Sequence, residues 1–197
     1  MESLSFVAAF RGDHASVRGD HRQQPEDRAR RLEASLHRCA AAHSSQLALI
    51  AALQALRGIG FLSAVTIVAE VGDLRRFSNP RQLMAYTGLV ASERSSGQSR
   101  YRGSITHTGN PYLRHVLVQA AHNARYLPNN SWQLRQRQQN LPPDLVALAW
   151  KAQIRLHHRY RHLLGRLGRP KAVTAVAREL ASFVWAVGQR MEAKAAA

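Results

Sequence analysis

Residues 87–110 hold the densest chemistry in the chain. They read TGLVASERSSGQSRYRGSITHTGN, placing Ser95 and Ser96 beside Arg94, with Arg100 and Arg102 close behind and Arg114 soon after. A serine hydroxyl can attack a phosphodiester once its proton is removed and the charge on phosphorus is stabilised. The neighbouring guanidinium groups could supply that stabilisation, since each can grip a phosphate with two parallel N–H donors. On residue types alone the blander reading wins: a Ser/Gly/Arg loop that binds phosphate or is merely solvated.

Three further patterns bear on phosphate chemistry. Leu56-Arg57-Gly58-Ile59-Gly60 ahead of an apolar helix matches a helix-hairpin-helix connection. There Gly58 and Gly60 permit a tight turn, and the N–H groups of the next helix can approach a phosphate. Lys151, Arg155, His158, Arg159, His162 and Arg166 recur at three- and four-residue spacing opposite Leu145, Leu148, Ala152, Leu156 and Leu163. Such a helix has one face for a core and one for phosphates, and we expect nucleic-acid contact through Lys151, Arg155 and Arg159. His157, His158 and His162 lack an acidic or cysteine partner at ligand spacing, so no metal site is expected. Glu70 and Asp73 read as solvated or capping, and Trp150, Tyr160, Phe183 and Trp185 read as core residues.

The elements that must position these groups are mostly helical. Apolar spacing through Leu32, Leu36, Cys39, Leu47, Ile50 and Leu53 predicts a helix or helical hairpin broken near 43–45. A helix from Phe61 to Val71 should bury Leu62, Val65, Val68 and Ala69 and end at Gly72. Ser78 or Asn79 can cap the next helix, with Pro80 in its first turn. Helical spacing returns from Pro111 to Tyr126. After Pro142-Pro143, one helix should run from Asp144 to Leu164 and another from Pro170 to about Glu192, separated by a break at 165–168. The expected fold class is mainly α: a helix-hairpin-helix-containing domain with a Ser/Gly/Arg loop and room for one short hairpin in 88–107. By segment, 1–25 reads as a flexible lead-in and 26–55 as a linker or oligomerisation helix. Residues 56–140 read as the helix-hairpin-helix and serine-bearing core, and 141–197 as basic closing helices.

Charge and composition narrow the function. The 197 residues carry 28 Lys and Arg, of which only Lys151, Lys171 and Lys194 are lysines, against 12 acids. Residues 1–73 balance at eight Arg and eight acids. From 74 onward 20 cations face only Glu93, Asp144, Glu179 and Glu192, so the whole net charge of +16 lies there. That asymmetry favours a polyanionic partner, DNA or RNA. An apolar fraction of 45% is enough for a core. A single cysteine, Cys39, excludes a disulfide framework. No long apolar run predicts a membrane span, and a cytoplasmic protein is expected.

The run from Gly58 to His122, GIGFLSAVTIVAEVGDLRRFSNPRQLMAYTGLVASERSSGQSRYRGSITHTGNPYLRHVLVQAAH, closely resembles the C-terminal transposase domain of the one-ten family of insertion sequences, also named for sequences one-sixteen and nine-oh-two. The later run WKAQIRLHHRYRHLLGRLGRPKAVTAVARELASFVWAV resembles that family's C-terminal extension. The likeness covers roughly residues 48–190 in several ordered motifs. It implies DNA transposition by a two-part recombinase. An N-terminal RNase-H-type domain with four metal-binding acids works with this serine-bearing domain, and a structured RNA guides donor and target choice. An essential serine maps onto the segment Ser95-Ser96-Gly97, with both serines as candidates. The family often has proline at Ala91 and a basic residue at His107, which affects local geometry rather than membership.

Fewer than 60 residues precede Gly58, and their acids lie in a polar lead-in, whereas an acidic catalytic domain needs on the order of a hundred residues. The expectation is a fragment or decayed copy with no cofactor of its own. Magnesium would enter only with the acidic domain, and a homo-oligomer would form at full length. The alternative is a non-catalytic nucleic-acid-binding remnant.

Overall fold

A computed structural model describes residues 25–41, 44–96 and 99–195, with the backbone alone for 94–96, 99–102 and some helix-end residues. The lead-in expected over 1–25 lies outside the described residues save for Pro25. The helices are α1 (Pro25–Ala41), α2 (Ser44–Leu53), α3 (Phe61–Val71), α4 (Pro80–Tyr86), α5 (Pro111–Ala121), α6 (Trp132–Gln138) and α7 (Pro143–Ala195). Single 3₁₀ turns lie at Leu74–Arg76 and His122–Arg125, and strands β1 (Ala91–Ser96) and β2 (Ser99–Ile105) form one antiparallel hairpin. The fold is mainly α, as the periodicity predicts.

Local chemistry sets the helix starts. Asn79 accepts a hydrogen bond from the Gln82 N–H at 3.2 Å, and Pro80 occupies the first turn of α4. Asn110 does the same for α5 through the Leu113 N–H at 3.0 Å, ahead of Pro111. Such caps contribute about 1 kcal/mol each. Asp73 caps the first 3₁₀ turn by accepting from the Arg75 N–H, one of the roles expected for it.

The closing segment is two helical arms joined at Gly168, whose φ of 75° and ψ of 167° interrupt α7. Pro170 then sits in the first turn of the second arm, where its missing N–H costs nothing. Gly165 stays helical, so the break is narrower than 165–168. The ion pairs Arg155–Glu179 and Arg190–Asp144 each join residues equidistant from Leu167. The arms therefore fold back antiparallel. One apolar cluster draws on Ile50 and Leu53 of α2, most of α3, Leu83, Leu113, Leu117 and both arms of α7. Each fully buried aliphatic side chain there contributes roughly 1.5–3 kcal/mol. Segments 44–55, 56–140 and 141–187 thus share one core.

Two expected core residues are on the surface. Leu62 is 50% exposed because α3 buries Ala64, Val65, Ile67, Val68, Ala69 and Val71 instead. Trp150 is 43% exposed, since the first arm of α7 buries Leu145, Leu148, Ala149, Ala152 and Leu156 and places Trp150 off that stripe.

Candidate nucleic-acid interface

The serine-bearing hairpin leaves the helical body through a narrow neck. Gly88 (φ 67°) and Gly109 (φ 124°) flank it, and each backbone runs against the carbonyl oxygen of the opposite strand, Thr108 and Tyr86 respectively. A Cβ at either position would overlap that oxygen. Arg114 ties the neck by donating to the Thr87 and His107 carbonyls at 3.1 and 3.2 Å. Asn110 donates to Glu70 Oε2 at 2.6 Å, and the Tyr86 hydroxyl donates to the Glu70 carbonyl at 3.2 Å. Glu70, half-buried, anchors the neck through both its carboxylate and its carbonyl. Expected phosphate contact Arg114 holds the neck in this structure. Gly109→Ala should cost about 2–4 kcal/mol, measured as a lowered urea midpoint. Gly60→Ala, in open space at φ −89°, should cost under about 1 kcal/mol.

Register orders the hairpin's chemistry. Glu93 pairs with Arg102, Arg94 with Tyr101, Ser95 with Arg100 and Ser96 with Ser99, with an irregularity only between Ala91 and Glu93. Opposed residues share a face and successive residues alternate. Ser95 is therefore on the face of Glu93, Arg100 and Arg102, and Ser96 on that of Arg94, Ser99 and Tyr101. The side chains of Arg94, Ser95, Ser96, Arg100 and Arg102 lie outside the described part.

At the foot of β1 opens a cleft of about 1020 Å³. Its cations are Arg81 of α4, Lys151, Arg155 and Arg159 of the first α7 arm, and Arg178 of the second. Val90, Ala91 and Glu93 bring the base of the hairpin to the same wall. The strand rise of about 3.3 Å per residue puts Ser95 roughly 7 Å along from Glu93. Lys151, Arg155 and Arg159 are exposed. Glu179, whose side chain is only 17% exposed, pairs with Arg155 and stands 3.8 Å from Arg159. Its hydrogen bond, then its charge, raises the Arg155 pKa above the ordinary guanidinium value. Arg155 is thus permanently cationic but held.

The cleft thus gathers three of the expected phosphate contacts and adds Arg81 and Arg178, which local spacing did not single out. The scarcity of acids after residue 73 was the available signal for Glu179. Gly58 (φ 91°) is set against the Ala120 carbonyl of α5, so its backbone freedom serves packing. Gly60 caps α3 without a side-chain bond. His157 is buried, with Nδ1 2.9 Å from the Ala124 carbonyl. Among the described residues no three His, Cys, Asp or Glu side chains lie together as metal ligands, and no helix is long and apolar enough to cross a membrane.

The sequence profile of the transposase IS116/IS110/IS902 family matches residues 50–138, from α2 through the hairpin to α6. The y4qE protein of Sinorhizobium fredii, which carries a transposase name, is 46% identical over 148 residues, 75% of this chain and 38% of that protein. The transposase for insertion sequence element IS1111A of Coxiella burnetii is 33% identical over 141 residues, 71% of this chain and 33% of its own. The transposase for insertion sequence element IS1533 of Leptospira borgpetersenii is 29% identical over 112 residues, 56% of this chain and 32% of its own. The chain thus spans about a third of the length of the curated relatives it matches. Carrying that matched domain with its serine hairpin, the chain belongs to the IS116/IS110/IS902 transposase family.

Proposed function

We propose that this chain is the DNA-binding, serine-bearing part of a transposition recombinase. The observation that carries the reading is the convergence of Arg81, Lys151, Arg155, Arg159 and Arg178 on the foot of the strand bearing Ser95 and Ser96. In this reading the cleft holds the DNA backbone by phosphate contacts that fix position without reading bases. A serine Oγ forms an ester bond to phosphorus, the bond from phosphorus to a deoxyribose oxygen breaks, and that oxygen takes up a proton. Attack by a new deoxyribose hydroxyl on the ester would rejoin the strand and free the serine. Magnesium belongs to the acidic domain in this proposal; among the described residues no three His, Cys, Asp or Glu side chains lie together to hold it. A structured guide RNA and a homo-oligomer belong to the same proposal, with the exposed helix α1 a candidate pairing surface. Deleting residues 25–41 should then lower the assembly mass in solution.

Duplex binding tests the cleft directly. Log affinity should fall linearly with log salt, at a slope of about −0.9 per phosphate engaged. Glu179→Gln keeps size and removes the charge that holds Arg155 and Arg159. It should raise duplex affinity about three- to tenfold and steepen the salt slope by about 0.9 for each guanidinium released. Unchanged or weaker binding by Glu179→Gln would count against a phosphate-binding cleft.

A further inference from the structure

A cavity of about 470 Å³ lies between α6 and the start of α7, with Trp150, Leu141 and Pro143 among its apolar lining and Asn130, Gln138 and Gln153 as polar groups. Gln138 and Gln153 are 8% and 6% exposed, the only glutamines among the buried polar residues described.

Their amide orientations follow from their partners. Gln138 Nε2 donates to the Ala55 carbonyl at 3.1 Å, an atom that can only accept. Its Oε1 is left without a partner among the described residues. Gln153 Oε1 lies 3.4 Å from Arg57 Nη1 and 3.3 Å from the Asn129 N–H, both of which can only donate. Its Nε2 is left without a partner among the described residues. A buried amide group without a hydrogen bond costs roughly 1–3 kcal/mol. The cavity thus offers one acceptor and one donor beneath a half-exposed indole. The Arg57 cation beside Gln153 also faces the Tyr126 ring at 6.0 Å.

We propose that this cavity receives one unpaired nucleobase of a single-stranded segment, stacked on Trp150 and hydrogen-bonded by Gln138 Oε1 and Gln153 Nε2. The inference rests on the nucleic-acid-binding reading above. Every base carries donors and acceptors on its edges and a π face, so an acceptor, a donor and an aromatic plane suit any of them. An apolar cavity with a few converging polar groups is the usual form of a small-ligand site. Single-stranded DNA and RNA share this chemistry.

The test uses the full chain with a single strand bearing one 2-aminopurine, made once as DNA and once as RNA, and a duplex of equal length. The single strand should bind with quenching of 2-aminopurine fluorescence, and the nucleic acid that quenches is the source. Trp150→Ala should remove the quenching and weaken single-strand binding about tenfold while leaving duplex affinity unchanged. Trp150→Phe, which keeps an aromatic plane, should retain most of both. Single-strand binding without quenching, or equal losses on single strand and duplex, overturns the base pocket. A chain that binds neither form overturns the nucleic-acid reading itself.

Discussion

With an acidic RNase-H-type domain supplied in trans and a suicide DNA substrate, one of Ser95→Ala and Ser96→Ala will form no covalent adduct, and the other will still form it. The expected loss is at least about 10³-fold, because no other group replaces a missing nucleophile. The pleat of β1 makes the two variants unequal. Ser95 shares the face of Arg100 and of Glu93, which lines the basic cleft, whereas Ser96 pairs with Ser99 on the other face. Strand geometry keeps both from occupying one reactive position. Loss at Ser95 places the reaction on the cleft face, and loss at Ser96 places it on the opposite face of the hairpin. Adducts from both variants would remove serine attack from the account. The neck supports a clean comparison, since Gly88, Gly109, Asn110 and Arg114 hold the hairpin from residues that neither substitution touches. The 197-residue polypeptide by itself should not cut or exchange DNA, even with magnesium, and strand exchange by it would refute the two-part reading.

Replacing Lys151, Arg155 and Arg159 together by alanine should weaken duplex binding on the order of a hundredfold at low salt, and flatten the salt slope by up to about 2.7. All three are exposed on the first arm of α7, and their removal leaves the buried stripe through Leu145, Leu148, Ala149, Ala152 and Leu156 intact. Fluorescence anisotropy across a salt series reads both quantities. A loss of affinity with an unchanged slope would mean that the cations act through the fold. The Arg155–Glu179 pair sharpens the design. Removing Arg155 frees a buried-side carboxylate within the cleft, so the single variant should cost more than the Lys151 one. The arginines are exposed but Glu179 is not, so the triple variant, which leaves that carboxylate unpaired, should unfold somewhat below the parent.

Much of the architecture was legible. Periodicity marked every long helix, and Asn79-Pro80 and Asn110-Pro111 marked two helix starts, because capping is a local hydrogen bond that needs no distant partner. Leu62 and Trp150 were misplaced for the converse reason. An apolar residue at helical spacing is buried only if another element covers that side, and the packing of α3 and α7 covers neighbouring positions instead. The candidate site divides in the same way. Lys151, Arg155 and Arg159 were visible as a stripe on one helix. Arg81 and Arg178 come from segments far away along the chain, and only the fold brings them to the same cleft.

Residue types and spacing by themselves determined the helical class, the concentration of positive charge after residue 73, the serine–arginine segment and the family likeness. All of these are properties of composition and local order. Tertiary structure alone decided that Arg114 and Glu70 secure the neck. It also decided that Glu179 restrains two of the cleft's arginines, and that two glutamines bury unpaired amide atoms beside Trp150. Each of these depends on which polar atom finds its partner first, and the packing of α5, α6 and the two α7 arms sets that pairing across tens of residues of sequence.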